Sequence, residues 1–266
     1  MRFCSIASGS SGNCVYVGSD TAHLLIDAGI SGKRTQEGLK ELGIRPDELD
    51  GIFITHEHTD HISGLGVLSR KYGIPIYGTK GTLDAVKQCR SLGVIDEGLF
   101  HEIRADEKIQ VSDLIVDPMK ISHDAADPVA YRISDGKKRL GIVTDLGCYN
   151  EYTVEGLQDM NALLIEANHD VKMLQAGPYP YYLKERILGN RGHLSNELSG
   201  QLLKELLHDG MQNIILGHLS KENNLPELAY EAVRLEILMS GCGYHPKDFN
   251  IQVAGKTERS EIIEIA

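Results

Sequence analysis

The chain is expected to be an α/β protein in which two sheets pack face to face and helices cover the outside. Short β-branched runs of strand length alternate with stretches of helical period along the whole sequence. Strands dominate each half, with helices between and after them, so both sheets need apolar cover. No repeat, low-complexity tract or linker-like shift divides the sequence, and residues 1–266 are expected to form a single domain.

In chain order, strands are expected at Arg2–Ala7, Cys14–Gly18 and His23–Asp27, then a helix at Lys33–Leu42. A strand at Gly51–Thr55 leads to a helix at His61–Tyr72, a strand at Ile74–Tyr77 and a helix at Thr79–Leu92. Strands follow at Leu114–Ser122, Val129–Ser134, Leu140–Thr144 and Ala162–Glu166. In "HLSNELSGQLLKELLHDG", Leu198, Leu202, Leu203 and Leu206 form one apolar stripe of a helix over Ser195–Leu207, with Ser195 as its cap and Gly210 at its stop. A strand at Asn213–Gly217 precedes a helix at Pro226–Met239, where Pro226 suits the first turn and Asn224 with Glu227 has capping-box spacing. Asn250–Ala254 is the last expected strand.

At 266 residues, with 41% hydrophobic and 24% charged residues, the chain has globular composition and can bury a substantial core. The start, "MRFCSIASGSSGNC", lacks the apolar stretch of a signal peptide, and no run of 18 apolar residues could insert in a membrane. Cys4, Cys14, Cys89, Cys148 and Cys242 are scattered and odd in number, which points to reduced thiols and a cytoplasmic protein. The formal charge of −11 argues against non-specific binding of nucleic acid, unless a local basic patch or bound cations offset it.

The densest chemistry lies in "DGIFITHEHTDHISGL", an apolar strand that spills into His56, His58, Asp60 and His61. His56 and His58 are two apart and can point the same way in an extended segment. Imidazole and carboxylate are donors that divalent metals of borderline softness prefer, and such a cluster is costly to bury unpaired. One cluster cannot complete two metal shells, so further ligands should follow other strands. His123, Asp145 and His218 each stand immediately after one, in "LIVDPMKISHD", "RLGIVTDLG" and "NIILGHLSK".

With these motifs in order, the chain resembles the metallo-β-lactamase-fold hydrolases. The resemblance implies an αββα sandwich of two mixed sheets with a two-metal site at the edge between them. It implies that His56, His58 and His123 bind one metal, that Asp60, His61 and His218 bind the other, and that Asp145 bridges. Asp27 in "LLIDAG" then braces the cluster's loop, although it also reads as a turn aspartate ahead of Gly29. His58 stands where the oxygen- and nitric-oxide-reducing branch has glutamate, which favours hydrolysis. A bridging water acidified to hydroxide is the expected nucleophile. Zinc, manganese and iron all suit the donors.

Glu166 in "LLIEANHD" and His193 in "NRGHLSN" are similar to the glutamate and the HST-motif histidine of the transfer-RNA 3′-processing members, although here the motif reads HLS. That likeness implies that His193 protonates the leaving oxygen and Glu166 orients it; with Asp60 they are the candidate catalytic residues. His169 is a further candidate in the same stretch. Between Lys172 and His193, Lys184, Arg186 and Arg191 interleave with Tyr179, Tyr181 and Tyr182. The pattern suits phosphates and bases, or equally a tyrosine-rich helix packed on the sheet. The small-residue loop Ser8–Asn13, with Ser10 and Asn13, is a candidate phosphate contact or a plain hairpin turn.

The 94 residues from Asp124 to Gly217 leave no room for the large domain inserted in some nucleases of this fold. "SIASGSSGNC", "EANHD", "GHLSN" and "LGHLSKENN" together resemble the YycJ/WalJ (VicX) family. Membership implies 5′-to-3′ exonuclease activity on double-stranded DNA, with a link to cell-wall signalling. The alternatives are a small-molecule hydrolase acting on a thioester, lactone or cyclic phosphate, and a non-catalytic signalling partner built on the same scaffold.

Overall fold

The computed structural model describes residues 1–265. Among them, two seven-stranded mixed sheets stack face to face. The first half contributes β1 (Arg2–Ala7), β2 (Cys14–Gly18), β3 (His23–Ile26), α1 (Gly32–Glu41), β4 (Gly51–Phe53), α2 (Thr59–Ile62), α3 (Leu65–Tyr72), β5 (Ile76–Thr79), α4 (Lys80–Gln88) and β6 (Phe100–Ile103). The second contributes β7 (Ile109–Val111), β8 (Leu114–Lys120), β9 (Val129–Ser134), β10 (Arg139–Val143), α5 (Glu151–Gly156), β11 (Ala162–Glu166), α6 (Val171–Ala176), α7 (Tyr181–Leu188), α8 (Asn196–Leu206), β12 (Asn213–Gly217), α9 (Pro226–Met239) and β13 (Asn250–Val253). A short β14 (Ile263–Glu264) returns to pair with β1 in the first sheet.

The sheet orders are β14-β1-β2-β3-β4-β5-β6 and β13-β12-β11-β10-β9-β8-β7. Each begins with antiparallel hairpins and turns parallel at its centre, from β3 to β6 and from β10 to β13. The central strands β2, β4, β11 and β12 are buried along their full length, as strands covered on both faces must be. Phe3, Val17, Leu24 and Phe53 of one sheet meet Val116, Tyr131, Ile142 and Leu164 of the other in the inner core. The outer faces pack against α1, α3 and α4 on one side and α8 and α9 on the other, completing four layers.

Tyr131 joins the sheets at the end that matters for function. Its ring meets Phe53 edge-on, and its hydroxyl donates to the Ile54 carbonyl at 2.7 Å. The Val129 N–H donates to the Thr55 carbonyl at 3.0 Å. The strand that delivers the histidine cluster is therefore tied to the opposite sheet.

Several local expectations differ. The helix expected at His61–Tyr72 is two, α2 and α3, with Gly64 between them, and the Gly64 N–H bonds the Ala28 carbonyl at 2.8 Å. A Cβ at Gly64 would stand 2.1 Å from the Ile30 carbonyl oxygen, so this close approach requires glycine. Leu198 does not join the apolar stripe of α8 but is 39% exposed, and the inward face is Ser199, Leu202, Leu203 and Leu206. Ser195 caps that helix as expected, yet α8 ends at Leu206, before Gly210. The capping box expected at Asn224 is absent. Leu225 is the N-cap of α9, and the Asn224 amide instead donates to the carbonyls of Ala167 and Asn168.

Candidate metal centre

The expected ligands converge at one end of the sandwich. β3, β4, β10 and β12 are parallel or central strands, and Asp27, His56, Asp145 and His218 follow their carboxyl ends, where loops of open α/β sheets build sites. His123 follows β8 from the antiparallel part of the second sheet. Asp27, Asp145 and His218 adopt left-handed φ values of 62°, 59° and 54°. Each thus turns its side chain sharply out of the strand that precedes it.

The donors fall into overlapping groups. His56, His58 and His123 offer atoms within 4.8 Å of one another, and so do Asp60, His61 and His218. Asp145 lies between them. Its Oδ1 is 3.7 Å from His123 Nε2, while its Oδ2 is 3.1 Å from His61 Nε2 and 3.2 Å from His218 Nδ1.

The donor chemistry fits a divalent-cation site. His58 Nδ1 is 3.0 Å from His56 Nε2 and 3.3 Å from His123 Nε2, so three imidazole nitrogens face one point. His123 spends its Nδ1–H on the Gly192 carbonyl at 3.0 Å, leaving a lone pair on Nε2. Beside the second group, Asp145 Oδ2 and His218 Nδ1 are buried 3.2 Å apart, and neither makes a well-aligned hydrogen bond among the described residues. Lone pairs that face one another in a buried setting need a cation between them. Burial pushes His56 well below the usual imidazole range, the direction a metal ligand needs. Burial alone would raise the Asp145 carboxyl, but His218, His61 and His56 outweigh it and hold it well below the usual carboxylate range.

Asp27 both turns the chain and braces the cluster. Its Oδ2 accepts from His61 Nδ1 at 2.7 Å, and its Oδ1 accepts from the Thr55 N–H at 2.8 Å. The Thr55 hydroxyl adds a 2.9 Å bond to Asp27 and sits 3.0 Å from His56 Nδ1.

Glu166 and His193 meet beside this centre. His193 Nδ1 is 2.7 Å from Glu166 Oε1, and Glu166 Oε2 accepts from the N–H groups of Leu146 and Leu194. Glu166 is fully buried, whereas the His193 side chain keeps 18% exposure, so only the histidine can reach a bound molecule. Burial would lower the histidine, but Glu166 prevails and it is pushed up to about 9. His169 lies outside the ligand groups. It is buried, its Nδ1 is 3.3 Å from Asn168 Oδ1, and its Nε2 has no partner among the described residues.

The remaining candidates divide. Asn13 is buried, its Nδ2 3.1 Å from His61 Nε2 and 3.2 Å from the Gly9 carbonyl, so it ties the loop to the cluster, while Ser10 is exposed at the tip. Lys184 donates to the carbonyls of Gln175 and Gly177, both at 2.7 Å. Arg191 donates twice to the His123 carbonyl, each at 3.1 Å. Arg186 grips the Asp124 carboxylate through two nitrogens, with Asp124 Oδ1 3.4 Å from His123 Nε2. The sequence carries no signal for Thr55 or Asp124, or for the contact that Ser8 makes, its hydroxyl accepting from the His218 N–H at 2.8 Å. Their partners lie far away along the chain, and a lone Ser or Thr carries no local signal.

Residues 7–213 match the model of the Metallo-beta-lactamase superfamily. The chain is 39% identical over 242 residues to the exodeoxyribonuclease WalJ of Streptococcus pneumoniae, spanning 91% of this chain and 90% of that protein. It is 38% identical over 251 residues to the exodeoxyribonuclease YycJ of Bacillus anthracis, spanning 91% of each. Among solved structures, zinc-bound PqqB from Methylobacterium extorquens shares the fold at a TM-score of 0.72 and 18% identity, covering 98% of this chain and all of that one (100%). The metallo-β-lactamase fold protein YhfI from Bacillus subtilis does so at 0.70 and 16%, covering 97% and 98%. The chain belongs to the metallo-β-lactamase superfamily and, within it, to the family of the WalJ and YycJ exodeoxyribonucleases.

Proposed function

We propose that this chain is a metal-dependent exonuclease that shortens double-stranded DNA from its 5′ end. The observation that carries the reading is the convergence of six His and Asp donors around buried Asp145, with the His193–Glu166 pair alongside. Two ions are proposed, of zinc, manganese or iron. His56, His58 and His123 would hold one and Asp60, His61 and His218 the other, with Asp145 shared between the two groups. When bound, such ions supply Lewis acidity toward a phosphodiester and a water of lowered pKa.

The chain's own groups do the rest. Thr55 and Asp27 fix the ring orientation of the cluster histidines. Glu166 holds the Nδ1 edge of His193, and the other nitrogen gives its proton to the departing sugar oxygen, which is general-acid work. Glu166 itself stays out of reach of substrate and stabilises the protonated ring.

Relatives named exodeoxyribonucleases, matched over nine-tenths of this chain, support DNA as the polymer. The inner core shared by both sheets supports one domain. No described helix is long and apolar enough to cross a membrane, and the five cysteines are free, which supports a reducing, cytoplasmic setting.

The test is cleavage of duplex DNA labelled at the 5′ or 3′ end, and of RNA, by metal-loaded protein. Stepwise loss from the 5′ end is expected, abolished by Asp60→Ala and slowed by His193→Ala. Hydrolysis of thioester, lactone or cyclic phosphate by a protein that leaves DNA intact would replace the nuclease with a small-molecule enzyme.

A further inference from the structure

α7 is an unusual element for a globular domain, because none of its eight residues is buried. Apolar burial normally holds a surface helix in place. Here polar latches do so. Lys184 reaches back to the carbonyls of Gln175 and Gly177, and Arg186 grips Asp124. The Ile187 carbonyl accepts the N–H of His193 at 3.0 Å. The helix is thus fastened at its C-terminal end to the proposed general acid and to the neighbour of His123, and its other side is left open.

What it leaves open is aromatic. Tyr181 and Tyr182 are 76% and 73% exposed at its first turn. Consecutive helical residues diverge, whereas residues four apart share a face. Tyr182 therefore stands one turn from Arg186 on the same face, and Arg186 reaches Asp124, whose Oδ1 is 3.4 Å from His123 Nε2. A flat exposed ring and a planar cation on one face, at the rim of a phosphodiester-cleaving centre, form a base platform beside a phosphate clamp.

We propose that α7 is a nucleotide-binding arm: Tyr182 stacks on the base next to the scissile phosphate, and Arg186 leaves Asp124 to take a backbone phosphate. This rests on the nuclease reading and adds to it the element that grips the strand. Asp124 acts as the placeholder. Without DNA it keeps the guanidinium neutralised and ordered, and a phosphate that arrives replaces one bidentate acceptor with another. Stacking tolerates any base, so the arm grips without reading sequence. It also gives this acidic chain a guanidinium that can pass from a carboxylate to a phosphate, beside Lys184 and Arg191, which keep their charge while hydrogen-bonded to neutral carbonyls.

The test uses 5′-phosphorylated duplexes carrying 2-aminopurine at each of the first three 5′ positions in turn, with metal-loaded protein. Quenching at one position on binding is expected. Tyr182→Ala should abolish it and raise KM for DNA about 5- to 160-fold, the range for losing one stacked base, while Tyr182→Phe keeps both. Arg186→Ala should lower the slope of log affinity against log salt by about one. Wild-type protein that quenches through Tyr182 but does not cleave would sink the nuclease reading and keep the arm. Cleavage with quench and KM unchanged in Tyr182→Ala would sink the arm alone.

Discussion

Replacing Asp27 by Asn should weaken one of the two proposed metals and spare the other. The two side chains have the same shape, and both tolerate the left-handed backbone at φ 62°. Aspartate accepts from the Thr55 N–H, the Thr55 hydroxyl and His61 Nδ1. An asparagine that keeps its oxygen on the Thr55 N–H must turn its NH₂ toward His61 Nδ1. That nitrogen must then accept, and the ring proton moves to Nε2, the atom that faces Asp60 and Asp145. A protonated nitrogen cannot bind a metal, so restoring the binding tautomer costs affinity. Loss of such a supporting partner typically lowers metal affinity about 10- to 100-fold.

Competition with a chromophoric chelator reads this directly. Of two ions, one should be withdrawn at a chelator concentration that leaves both in the wild type. Asp27→Ala provides the contrast, because it also strands buried donors and puts a Cβ-bearing residue without a turn-forming side chain at positive φ. It should cost about 4 kcal/mol in all, on the order of 10 °C in melting temperature. If Asp27→Asn holds both ions as tightly as the wild type, the tautomer argument is wrong.

His193→Ala should slow the chemical step about 10²- to 10⁴-fold in single-turnover cleavage, and Glu166→Gln should approach it. The double variant should be no slower than His193→Ala, because the pair acts as a unit; additive losses would separate the two residues. Burial holds His169 down to about 4 from 6.5. Between those values the unfolded chain takes up a proton that the folded chain refuses, so stability falls with falling pH and is constant above the window. Urea denaturation from pH 7 to 4 should show up to about 3 kcal/mol of such loss, and His169→Gln should flatten it. A Cβ at Gly29 would stand 1.6 Å from the Asp60 carbonyl oxygen and 2.8 Å from the Asn13 N–H. Gly29→Ala should therefore displace the Asp60 loop, with a measured metal content below that of the wild type.

Much of the framework is legible in the sequence because burial writes it there. β4, β11 and β12 are buried throughout, and their apolar runs, broken only by Glu166 at the end of β11 and Asn213 at the start of β12, stand out at once. By contrast β6, reading Phe-His-Glu-Ile, is an edge strand whose middle residues face solvent, and β14 has only two residues. Nothing in their composition separates them from loop. The helix α5 hides in "NEYTVEG", where the signal is the Asn150–Thr153 capping box and not apolar periodicity. At the centre, each His and Asp that the structure brings together stands out, because His and Asp after an apolar strand have few structural uses. The bracing groups are not, since the Thr55 hydroxyl acquires meaning only when residue 27 arrives beside it.

The left-handed turns at Asp27, Asp145 and His218 have a consequence for anyone who would transplant this centre. Non-glycine residues are rare in that conformation, and each costs on the order of 1 kcal/mol or more. The ligand set is therefore not portable as a roster of side chains. Grafted onto another sandwich whose strands end in ordinary extended backbone, the same His and Asp residues would point elsewhere. A faithful copy must carry the three kinks along with the residues, and it must be stable enough to hold them before any metal arrives.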